Sequence, residues 1–176
     1  MPPLTGQTIH DGQLTEAGAI FMPRSIRALT GMPVVFTETG ARVGRVTRVY
    51  VDEALTRITG IWVSGRLGRL FFCPESAIEM IGEVSVLVRS HDKCPSSGVP
   101  FRMRRAIDSA GQLIGAAVGA YFEPETLAIS SIELTRGFWE DITRGREEVR
   151  NFAVRLPQGD VAVTEGEEKA DEDGTD

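Results

Sequence analysis

The chain is poor in the residues that most often carry chemistry. Its 176 residues include two histidines, His10 and His91, and two cysteines, Cys73 and Cys94. The histidines are far apart, and neither joins a Cys/His/Asp group with metal-ligand spacing, so no metal site is expected. The cysteines have no C-x-x-C spacing, which points to reduced, buried or idle thiols in a cytoplasmic setting. No apolar run is long enough to span a bilayer as a helix. Met1 to Glu16 lacks a basic segment followed by an apolar one, so no secretory signal is expected. Nucleophile motifs are absent. Gly115 and Gly119 are followed by no Lys-Ser/Thr pair and make no phosphate cradle. Glu123 and Glu125 flank Pro124 as residues of a turn rather than as an acid/base pair. These absences argue against an enzyme and leave no catalytic residue and no cofactor site to name.

The charge is unevenly placed. Thr164 to Asp176 holds seven acids and one base, Lys169, which accounts for the whole net charge of −6. Met1 to Val163 carries 18 bases and 18 acids, and its bases are almost all arginine. A balanced body argues against a nucleic-acid footprint. The tail has too little apolar surface to fold alone and reads as a solubilising, disordered end. Arg42, Arg45 and Arg48 form a potential basic stripe. Asp52 and Glu53 follow it, so a solvated strand edge is the expected reading.

The informative feature is an internal repeat. Gly40-Ala41-Arg42-Val43-Gly44 aligns with Gly111-Gln112-Leu113-Ile114-Gly115 at an offset of 71. The same offset matches Val46 with Ala117, Tyr50 with Tyr121, Val51 with Phe122, Ile58 with Ile129, Ile61 with Ile132 and Val63 with Leu134. Further on, Gly82-Glu83-Val84-Ser85-Val86 aligns with Gly159-Asp160-Val161-Ala162-Val163 at an offset of 77, which implies six extra residues in the second copy. Period-two alternation at Thr59, Ile61 and Val63 reads as β-strand, as it does at Val84, Val86 and Val88 and at Val161 and Val163. In the second copy it places Ser131 and Glu133 outward and Ser130, Ile132 and Leu134 inward. Val43, Val46 and Val49 are three apart, as in a helix, but glycine and β-branched residues favour a bulged strand. Gly40 and Gly111 suit turns with positive φ. Short strands and frequent turns predict a mainly β protein.

The residues Gly31-Met32-Pro33-Val34, with Gly40, Val43, Gly44 and Val46 after them, resemble the opening of PRC-barrel domains. Gly111 to Gly115 is similar again. Glu133 to Arg146 looks like the Ser-x-Gly-x-x-x-Asp-x-x-x-Gly-Arg stretch of tandem bacterial members. The resemblance covers about Ser25 to Val163. It implies two small PRC-barrel-like β-barrels in tandem: a flexible leader at 1–24, a first domain at 25–90, a linker at 91–99, a second domain at 100–163 and an acidic disordered tail at 164–176. Family members are binding modules, so the implied function is a non-catalytic adaptor that binds another protein. The alternative is an RNA- or ribosome-associated factor, since one relative is a small-subunit maturation factor. The chain lacks the membrane helix of another relative, the photosynthetic reaction-centre H subunit. It also lacks the maturation factor's distinct N-terminal barrel, so neither specific job carries over.

The candidate interaction surface is Arg136, Phe138, Trp139, Asp141 and Arg146, where two aromatics adjoin Gly137 and Asp141 and Arg146 could pair. Aromatic and arginine side chains are the usual hot-spot chemistry. The competing reading is a structural loop that closes the second barrel, with Trp139 over its end. Barrels of about 65 residues have marginal cores. An intramolecular contact between the two units is therefore expected, and a homodimer is placed narrowly ahead of a monomer. Phe71, Phe72, Phe138 and Trp139 are candidates for burial in such contacts. Deleting the residues after Thr164 should leave the melting temperature nearly unchanged. A drop of more than about 4 °C, the size of a 1 kcal/mol loss, would mean that the tail docks on the body.

Overall fold

The computed structural model of the chain describes residues 22–91, 95, 97–137, 145–155 and 158–164. Most of the leader, residues 92–94 and 96 of the linker, and the acidic tail beyond Thr164 lie outside them. The first unit contains β2 (Pro33–Phe36), β3 (Arg42–Val51), β4 (Ile58–Gly65), β5 (Leu70–Pro74), β6 (Ile78–Ile81) and β7 (Val86–Val88). The second contains β9 (Arg104–Ile107), β10 (Leu113–Phe122), β11 (Ile129–Thr135), β12 (Glu147–Val149), β13 (Phe152–Arg155) and β14 (Asp160–Val163). The sheet orders are β5-β4-β3-β2-β7-β6 and β12-β11-β10-β9-β14-β13, one topology used twice. In each, one parallel pair, β2 with β7 or β9 with β14, interrupts an otherwise antiparallel path. The fold is thus mainly β, with two barrel-like sheets in tandem.

The irregular spacing in β3 has a local cause. Its ladder with β4 slips between Val46 and Arg48 and again between Tyr50 and Val51. The first bulge inserts one residue, so Val46 and Val49 both point into the core although they are three apart. β10 slips against β11 between Ala117 and Gly119 and between Tyr121 and Phe122, the same places 71 residues later. Gly40 and Gly111 take φ of 65° and 82°, as their turns require. Asp108 holds the second of these turns by accepting from the Gln112 amide at 2.8 Å. β3 is flanked by β2 and β4, so the expectation of a strand edge for Arg42, Arg45 and Arg48 is corrected: these side chains lie on the exposed face of an interior strand.

The offset of 77 for the last strand is also corrected. Val34 pairs with Val86 and Ala106 pairs with Val161, and Val34 and Ala106 occupy the same place against Gly44 and Gly115. The true mates are therefore Val86 with Val161 and Val88 with Val163. Val84 is 78% exposed whereas Val161 is fully buried. The matched glycines misled because the two hairpin turns differ in length: Gly82 bonds to the Ser85 carbonyl in the shorter one.

The two units are joined by exchange. The strand that leads into the first unit, β1 (Arg24–Ser25), pairs with Tyr121 and Phe122 of the second. The strand that leads into the second, β8 (Val99–Pro100), pairs with Tyr50 and Val51 of the first. Arg24 and Val99 are therefore not parts of a leader and a linker but of strands laid on the opposite sheet. At the centre Arg57 bridges Ala128, residues 71 apart. The Ile58 amide donates to Leu127 and the Ile129 amide donates to Thr56, each at 2.8 Å. These bonds interchange when the units are interchanged, which defines a pseudo-twofold axis. Leu55 and Leu127 sit beside it, buried, each with φ of 58°, where a leucine costs about 1–2 kcal/mol. Arg104 crosses the junction to donate to the Glu53 carbonyl at 2.9 Å. Burial pushes its guanidinium pKa down, and Asp52 and Glu53 oppose that shift. One hydrophobic cluster draws on both units, from Leu29, Val51 and Ile58 to Phe122, Leu127 and Ile132. The expected intramolecular contact is thus present, as a shared core. A variant cut at a protease site inserted between residues 92 and 96 should elute as one complex of both halves under native conditions. Separation of the halves at micromolar concentration would contradict the exchange.

Candidate functional site

Glu133, on β11, lies on the face of the second sheet that points away from the core. Opposite it on β12 is Glu148, with Glu147 next along that strand. Glu133 and Glu148 share the outer face, whereas Glu147, opposite Leu134, points to the other side at the sheet's edge, and each of the three meets a counter-charge. Arg146 donates to Glu133 at 2.9 Å, Arg136 to Glu147 at 3.1 Å, and Arg150 lies 3.7 Å from Glu148. Arg27, carried over by the exchanged N-terminal segment, comes within 3.8 Å of Glu133 and donates to the Val118 carbonyl at 2.9 Å. Ser131 lies on this outer face, as its alternation implies, yet is fully covered, and its hydroxyl donates to Glu148 at 2.7 Å. Gly119 makes room for this arrangement, since a Cβ there would overlap the Glu133 side chain. Partly exposed pairs of this kind contribute about 0–1 kcal/mol each, so the network serves orientation more than stability.

Of the five sequence-derived residues, Arg136 pairs with Glu147 and Arg146 with Glu133, two separate ion pairs on neighbouring strands. Phe138, Trp139 and Asp141 lie outside the described residues. Beside the network opens a cleft of about 540 Å³, lined by Arg136, Glu147, Glu148, Arg150, Asp108 and Asn151 among others. Its mixed charges suit a polar, charged partner segment. Glu133, Glu147, Glu148 and Arg27 were not singled out from sequence, although comparing the two repeat copies position by position could have exposed them.

That comparison is instructive. Trp62 stands in the first unit where Glu133 stands in the second, and Phe71 and Phe72 stand where Glu147 and Glu148 do. The outer face of the first sheet is accordingly aromatic. Phe72 meets Tyr50 and Trp62 edge-on, at centroid distances of 5.4 and 5.9 Å, and is fully buried although it lies outside the central cluster. Such pairs add about 0.5–1.5 kcal/mol beyond their area. Phe71 is half-buried and packs on the His91 ring at 4.8 Å, which also stacks on Phe36 at 5.8 Å. One backbone scaffold therefore carries an apolar face in one copy and an ion-paired face in the other.

Among the described residues no group of three or more His, Cys, Asp or Glu side chains could hold a metal ion, and no helix is long and apolar enough to cross a membrane. Each sheet, of short and mostly antiparallel strands, is that of a small β-barrel-like module. Residues 24–92 match the family model of the PRC-barrel domain, which covers the first unit and less than half of the chain. No curated protein matches the chain.

Gly60 lies beneath the aromatic cluster, where a Cβ would overlap the Phe72 ring and come 2.6 Å from the Cys73 carbonyl oxygen. Gly60→Ala should destabilise the protein by about 1–3 kcal/mol in urea unfolding. An unchanged midpoint would show that the cluster can open without cost.

Proposed function

We propose that the protein is a non-catalytic binding adaptor built from two PRC-barrel modules, acting in the cytoplasm, and that it holds a protein partner on the charged outer face of the second module. The observation that carries this reading is the divergence of the two faces. The family match rests on the first unit, and the second repeats its strand order but carries arginines and glutamates where the outer face of the first packs an aromatic cluster. A sheet gains little stability from exposed ion pairs, so their concentration on one face is better explained by recognition. Arg146 would make the charged contact on that face and Arg136 at its edge, with Phe138, Trp139 and Asp141, between them in the sequence, as further candidates. A homodimer belongs to the same reading, and solution mass across a concentration series checks it.

The test is affinity capture from native cells with the wild-type chain and with an Arg136→Glu/Arg146→Glu variant, checked first for an unchanged circular dichroism spectrum. A discrete set of proteins held by the wild type and lost by the variant is expected. Capture of the same set by both would remove the charged face. Co-sedimentation with ribosomes that weakens with added salt would favour the RNA-associated alternative.

A further inference from the structure

The exchange of leading strands creates a second cleft, of about 280 Å³, where the N-terminal segment, β3 and the start of the second unit meet. Its lining includes Arg27, Arg48 and Arg102, the Thr30 hydroxyl and the apolar wall of Phe101, and no carboxylate. The pseudo-twofold relation explains the imbalance. Arg27 follows two residues behind the exchanged Ser25, and Arg102 follows two behind its mate Pro100. Arg27 meets Glu133 across the seam. On the other side the place of Glu133 is taken by Trp62, so Arg102 has no equivalent carboxylate to meet. Arg48 adds to the imbalance, because its own mate is Gly119. Among the described residues, Arg48 and Arg102 form no ion pair and no side-chain hydrogen bond. Like charges gathered in a cleft repel one another unless an anion enters.

We propose that this seam binds a phosphate-bearing small ligand, a site separate from the charged outer face of the second unit. A carboxylate has one charge and two oxygens and would satisfy a single guanidinium fork. A phosphate group has up to two charges and three free oxygens, and can accept from Arg48, Arg102 and Thr30 together. Phe101 and Ile26 supply the apolar surface against which the rest of the ligand packs. The cleft is short and bounded on both sides by the two units, which suits one such ligand rather than an extended nucleic-acid strand.

The experiment is titration of the full chain with inorganic pyrophosphate at low ionic strength, followed by amide chemical shifts and by calorimetry. Saturable binding is expected, with the largest shifts at Thr30, Thr47, Arg48, Val49 and Arg102. Arg48→Ala/Arg102→Ala should weaken it by about tenfold or more, the loss of two charge-assisted bonds. Arg66→Ala/Arg69→Ala removes the same charge from a hairpin tip and should leave binding unchanged. All four side chains are exposed, so both variants should melt with the wild type. Non-saturating shifts spread over all arginines, or equal weakening by the two variants, would overturn the site. So would an oligouridine that binds more tightly than pyrophosphate with a salt dependence of several phosphates, which would make the seam a nucleic-acid track.

Discussion

A backbone amide buried at the junction of two small sheets must find an acceptor, because no water can replace it there. Ile58 is fully buried, and its amide finds its acceptor on the other unit, at Leu127; Ile129 does the same at Thr56. Much else follows from that reciprocal pair. It sets the two sheets about a pseudo-twofold axis and brings each leading strand within reach of the opposite sheet. Neither unit completes its own set of strands.

The exchange also explains how so small a module is stabilised. Sheets of about 65 residues bury too little surface to stand comfortably alone. Here the buried residues of both units form one cluster, with Ile26 and Leu29 contributed by the segment that crosses between them. Pooling the cores relieves the outer faces of structural duty, and those faces have diverged. The first holds Tyr50, Trp62 and Phe72 packed edge to face; the second holds Glu133 and Glu148 balanced by arginines, one of which, Arg27, arrives only because the segments cross. Folding accounts for what the copies share, and the proposed function rests on what differs between them.

Several features were legible in the residues alone. The offset of 71, carried by Gly40 and Gly111 and by Tyr50 and Tyr121, announces two units of one topology. The valines of β3 announce a bulged strand, because glycine and β-branched residues outweigh a helical spacing. The end of the repeat was misread because Gly82 and Gly159 resemble each other while their turns differ in length, and a turn's length is not encoded by the identity of one glycine. Of the candidate surface, Arg136 and Arg146 are legible because they flank Phe138 and Trp139 in the sequence. The glutamates that hold them are not, because an isolated Glu-Glu on a strand looks like ordinary solvated surface.

By itself the sequence determined the mainly β class, the number of units, the turns that need glycine and the confinement of net charge to the tail. These are properties of near neighbours along the chain, where side-chain alternation and φ preference act directly. Only the tertiary structure decided which sheet each leading strand joins, which carboxylate each arginine meets and where arginines are left without one. Those outcomes depend on residues 48 to 106 positions apart being brought to one axis, and no local preference distinguishes a strand laid on its own sheet from the same strand laid on its neighbour.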